Sequence, residues 1–112
     1  MYDLEERTFN FAKNVIEYVR NLPKGISYSE ISKQLVRSAG SVGANYIEAN
    51  ESLSKKDFLM RVKISKKEAK ESHYWLNLST PSKIHEQDKI ELICESEELM
   101  KTFATIIRNT SV

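Results

Sequence analysis

A single cysteine, Cys94, means that no disulfide can close within the chain, which excludes the small folds held together by such bridges. Three glycines and two prolines among 112 residues leave few turn points, too few for a sandwich or barrel of many short strands. No run of about eighteen apolar residues occurs, so no membrane-spanning helix is expected. Neither sign of charge dominates: 17 basic against 16 acidic residues give +1. Any affinity for nucleic acid or a membrane must therefore come from charge gathered on one face. Catalytic signatures are missing too. There is no GxxxxGK[ST] phosphate loop, and neither His73 nor His85 follows a glutamate by three, as the paired-metal sites of helical bundles require. No catalytic residue, metal or cofactor is expected, and the lone thiol with no leader-like segment points to the cytoplasm.

What is present is helical. Apolar residues recur three and four apart, with 40% hydrophobic and 29% charged residues overall, so the chain reads as one all-α domain over residues 1–112. Helices are expected at about 4–22, 28–52, 55–79 and 86–108.

The first helix opens at Asp3 with Glu6 as a capping box and stops before Pro23 and Gly25. Leu4, Phe11, Val15, Tyr18 and Leu22 form one apolar stripe, and Phe9, Ala12, Ile16 and Val19 form a second beside it. Together they cover roughly half the circumference, which means either a generous core or partial burial by another subunit. In the second helix, capped by Ser27 with Glu30, the seam is Tyr28, Ile31, Leu35, Ala39 and Val42. Gly40 and Gly43 lie inside it at a cost of about 1 kcal/mol each relative to alanine, and close approach of a neighbouring helix would offset that. Asn45 and Glu48 share a face and read as a structural motif that pairs with Arg37, Arg61 or backbone; at the bundle end they would be solvated.

Ser54 and Asp57 start the third helix after a short turn, so helices two and three are antiparallel neighbours. Its core seam is Phe58, Val62, Ser65, Ala69, Ser72 and Leu76. Lys63, Lys66, Lys67 and Lys70 share an arc of roughly 100° elsewhere, either as solvated surface or as a set of phosphate contacts. Met60, Ile64, Trp75 and Leu78, bordered by Glu68 and Glu71, are either the flank of the core or a subunit interface. His73 reads as a hydrogen-bonded structural histidine. After a connector containing Pro81, the fourth helix carries Leu92, Ile93, Leu99, Met100, Phe103, Ala104, Ile106 and Ile107, with Cys94 expected as a small core filler. Residues 82–101 hold six acids against three lysines, whereas 51–78 hold seven basic residues against four acids. The near-neutral total hides a basic third helix and an acidic fourth, which could attract each other across a subunit contact.

The run QLVRSAGSVGANYIEANESLSKKDFLMRVKISKKEAKESHYWLNL, residues 34–78, resembles the bacterial 23S ribosomal RNA intervening-sequence proteins. In that family a small-residue segment with Asn-x-x-Glu precedes a serine/lysine turn, a phenylalanine and a Glu-rich third helix. The resemblance implies an up-and-down, left-handed, antiparallel four-helix bundle, often a ring-like homopentamer. It is also distantly similar to the accessory variability protein of diversity-generating retroelements, which binds nucleic acid through a basic surface and associates with a reverse transcriptase. Carried over, this implies phosphate contacts at Lys63, Lys66, Lys67 and Lys70, with Arg61, Lys55 and Lys56 as weaker candidates.

Three functions are open on these residues. The first is a non-enzymatic homo-oligomer that binds RNA or DNA backbone weakly and without sequence preference. The second is a protein-interaction scaffold. The third, a small-molecule enzyme, would need Asn45, Glu48, Glu68 and His73 to converge in one pocket.

Overall fold

The computed structural model describes residues 3–111 and contains four long helices: α1 (Leu4–Arg20), α2 (Ile26–Asn50), α3 (Lys55–Leu78) and α4 (Glu86–Ser111), with one 3-10 turn at Lys83–His85. Cross-helix pairs establish the topology. Glu5 meets Asn50, Asn45 meets Arg61, Ser38 meets Ser72, His73 meets Glu97 and Arg7 meets Glu95. With Thr8 against Gly43 and Lys89 against Ser79 added, one residue number falls as the other rises between each successive pair of helices, so each such pair is antiparallel, and Arg7–Glu95 places α4 beside α1. This is the all-α chain that the apolar spacing predicts, in the up-and-down four-helix bundle that the family resemblance implies.

Helix ends follow local chemistry, with departures from expectation that include the end of α2 at Asn50 in place of 52. Asp3 caps α1, but its carboxylate accepts from the amide of Glu5, and the helix stops at Arg20 while Leu22 is buried just past its end. Gly25, not Ser27, precedes α2: its φ of +140° is a conformation that side chains with a Cβ rarely adopt, and Ser27 lies within the first turn. Ser54 caps α3 through the Asp57 amide as the sequence predicts. α4 continues beyond the expected Arg108 to Ser111.

The core combines Phe11, Val15, Tyr18, Leu35, Val42, Val62, Leu76, Leu99 and Phe103. Between α2 and α3 it is built of small residues with internal partners. Ser65 donates to the Val42 carbonyl at 2.9 Å, and the Ser38 and Ser72 hydroxyls lie 2.8 Å apart. A hydroxyl that finds a partner across the seam lets two backbones approach without leaving a polar group unsatisfied. Gly43 does the same between α1 and α2: an added Cβ would sit 2.9 Å from Thr8 Oγ1. Gly40 differs, because nothing lies within 4 Å of where its Cβ would be. Close approach within the chain therefore accounts for one glycine and not the other.

Ser79 anchors the α3–α4 connector. Its hydroxyl donates to the Leu76 carbonyl at 2.7 Å, which leaves the Tyr18 hydroxyl to donate to it at 2.7 Å. Lys89 Nζ donates to the Ser79 carbonyl at 2.7 Å. Burial pushes the Tyr18 phenol above its ordinary pKa, so it stays a neutral donor here.

Cys94 is not a core filler. It is exposed, because the buried positions of α4 are Leu92, Ser96, Leu99 and Phe103, and a residue two beyond Leu92 is turned by about 200°.

Candidate nucleic-acid interface

Val62, Ser65, Ala69, Ser72 and Leu76 bury one side of α3, and Lys63, Lys66, Lys67 and Lys70 stand exposed on another side. None of the four is in a hydrogen bond or ion pair among the described residues. Elsewhere on the bundle, Arg7, Arg20, Arg37 and Lys101 are each paired with a carboxylate, whereas Lys13, Lys24, Lys33, Lys56 and Lys83 resemble the four in having no such pair among the described residues. The four α3 lysines are one another's neighbours, at 63–66, 63–67, 66–70 and 67–70. Like charges three or four apart on a helix oppose its stability by a few tenths of a kcal/mol per pair, on the order of 1 kcal/mol for the set. Only Glu71, four residues beyond Lys67, relieves it.

The edge of α3 that faces α2 is a polar chain. Arg37 donates through Nη1 to Glu68 at 2.9 Å and through Nη2 to Glu71. Trp75 Nε1 donates to the same Glu71 carboxylate at 3.0 Å. The indole N–H first, and Arg37 next, hold the Glu71 carboxyl below the ordinary glutamate range against the opposing effect of burial, while the two carboxylates raise Arg37 above its usual value. Trp75 in turn packs perpendicular to Tyr74, ring centres 5.0 Å apart. Tyr74 is 57% exposed. It stands on the lysine face, four residues beyond Lys70 and seven beyond Lys67, and the sequence reading passed over it. The signal was that spacing.

Met60 and Leu78 are about half exposed, whereas Ile64 and Trp75 are partly buried within the chain. Glu71 and its bond to Arg37 sit between the two halves of this stripe, so it forms two short patches in place of one continuous line. Asn45 accepts from Arg61 at 3.1 Å and donates to Ser41 at 2.9 Å, one of the pairings the sequence suggests. Glu48 is exposed, with no side-chain partner among the described residues. His73 is hydrogen-bonded to Glu97 at 3.1 Å. The four residues considered for catalysis are thus divided: Asn45 goes to Arg61, Glu68 to Arg37 and His73 to Glu97, and Glu48 faces solvent.

On α1 the second apolar stripe is left partly bare, with Phe9 66% and Ile16 41% exposed, and Ile47 of the adjacent α2 is 47% exposed. Between α1 and α4 runs an acidic groove of about 270 Å³ lined by Glu17, Asp88, Glu91 and Glu95 with Asn14 and Asn21. Basic and acidic surfaces therefore lie on different sides of the bundle.

Residues 2–105 match the sequence model of the family described as 23S rRNA-intervening sequence protein. The chain belongs to that family. Among solved structures, this family member is similar to a protein of unknown function from the S23 ribosomal protein family of Bacteroides thetaiotaomicron. The two share 28% identity over 94% of this chain and 98% of that one, with a TM-score of 0.77. No functionally curated protein matches the chain. As in the sequence reading, no helix among the described residues is long and apolar enough to cross a membrane.

Proposed function

We propose that this intervening-sequence family member is a non-enzymatic, self-associating bundle that holds nucleic-acid backbone weakly and without sequence preference along Lys63, Lys66, Lys67 and Lys70. The observation that carries the reading is the unpaired ladder itself. Four like charges packed at the spacing that most disfavours a helix, with Glu71 the one carboxylate at helical spacing from any of them and already engaged by Arg37 and Trp75, are offset by a polyanion whose condensed counterions they displace. Lysine is a point charge without the planar fork that reads base edges, so the expected binding is indifferent to sequence. Self-association, with five subunits the expected number, is supported by the bare Phe9, Ile16 and Ile47 and by the half-exposed Met60 and Leu78. It would repeat the ladder around a ring.

Binding to a mixed pool of RNA and DNA, at low and high salt, tests this, with light scattering to give the mass of the particle. Expected are an oligomer and an affinity that falls with salt and is lost when the four lysines become glutamine. Salt-insensitive binding, or binding that survives those substitutions, rejects the proposal. The acidic α1–α4 groove favours a second reading, a scaffold for protein partners. A partner that remains bound to the purified protein after nuclease treatment would support it.

A further inference from the structure

The geometry points to single-stranded nucleic acid as the partner of the lysine ladder, with one base stacked on Tyr74. This inference rests on the backbone-binding reading above and adds to it a feature that charge alone lacks. A tyrosine more than half exposed leaves apolar ring surface in water, and this one stands in line with the cations. From Lys63 to Tyr74 the track runs eleven residues, roughly 16 Å along α3, with Lys67 and Lys70 between. A cationic track that ends in an aromatic platform is the arrangement by which single strands are held: phosphates lie on the lysines and an unstacked base lies on the ring. A duplex keeps its bases stacked inside and can offer only phosphates.

Tyr74 is also held in place. It packs against Trp75, whose indole N–H is fixed by Glu71, and Glu71 is fixed by Arg37 from α2. A platform so restrained loses little conformational freedom when a base settles on it. The Tyr74 hydroxyl has no protein partner among the described residues, so no internal hydrogen bond explains a tyrosine at this position.

The test compares a short single-stranded oligonucleotide, as RNA and as DNA, with the duplex of the same sequence. The proteins are wild type, Tyr74→Ala, Tyr74→Phe and the variant with all four lysines changed to glutamine. Trp75 is the chain's one tryptophan and lies beside the platform, so its fluorescence reports occupancy directly. Wild type is expected to prefer the single strand and to change in fluorescence on binding it. Tyr74→Ala should weaken single-strand affinity by about tenfold and leave duplex affinity unchanged, and Tyr74→Phe should behave as wild type. Equal affinity of wild type for both forms, or a Tyr74→Ala variant that binds the single strand undiminished, overturns the platform and leaves the lysine ladder standing. If the glutamine variant binds both forms like wild type, or wild type binds neither, the ladder itself fails and the platform fails with it.

Discussion

Gly40 and Gly43 show how much a single missing side chain decides. Both lie inside α2, where alanine would be favoured by about 1 kcal/mol on helix propensity. Gly43→Ala places a methyl carbon against Thr8, a buried, branched side chain whose hydroxyl is committed to the Glu5 carbonyl at 3.0 Å, so the helical gain should be more than lost. Gly40→Ala meets nothing and should raise stability by about 0.5–1 kcal/mol in urea denaturation. A loss at Gly40 of similar size would mean that a second subunit fills the space beside it. Glu71 supplies a pH-dependent prediction. Its carboxyl is depressed in the folded chain, so its contribution is complete above the ordinary glutamate pKa and is lost as pH falls through the lower folded value. Trp75→Phe removes the N–H that is the chief cause of the depression. Stability measured against pH should therefore show the largest gap between wild type and variant near neutrality, and the pH-dependent part of that gap should close in acid.

At the level of the helix, α3 joins a well-packed inner side to an outer side that works against its own stability. Lys63→Glu replaces two like-charge neighbours, Lys66 and Lys67, by two opposite-charge ones, with the acid N-terminal to the base as a helix prefers. The melting temperature should rise by a few degrees while affinity for nucleic acid falls. A variant that melts lower would show that the ladder has a structural partner. The inner side of α3 was legible in the sequence: Val62, Ser65, Ala69, Ser72 and Leu76 repeat at helical spacing, and all are buried. The lysine arc was legible for the same reason. What spacing does not contain was missed. The start of α2 at Gly25 depends on a backbone angle, and the outward position of Cys94 was hidden by its apolar neighbours, although counting from Leu92 would have placed it. The Arg37–Glu71–Trp75–Tyr74 chain crosses from α2 to α3, and sequence spacing cannot align residues on separate helices.

For the molecule as a whole, a net charge of +1 conceals a basic α3 and an acidic α1–α4 groove on different sides of the bundle. Affinity for a polyanion is therefore a property of one side, and it grows only if several copies present that side together. Bare Phe9, Ile16 and Ile47 supply the apolar area for such an assembly. The most direct measurement is the slope of log affinity against log salt for a long single strand. One chain with four lysines can contribute a slope of no more than about −3 at roughly −0.7 per phosphate neutralised, so an assembly that repeats the ladder should be steeper. The account predicts a slope beyond −3 that collapses when Lys63, Lys66, Lys67 and Lys70 are glutamine. A flat slope in wild type, or the same slope in both proteins, would contradict it.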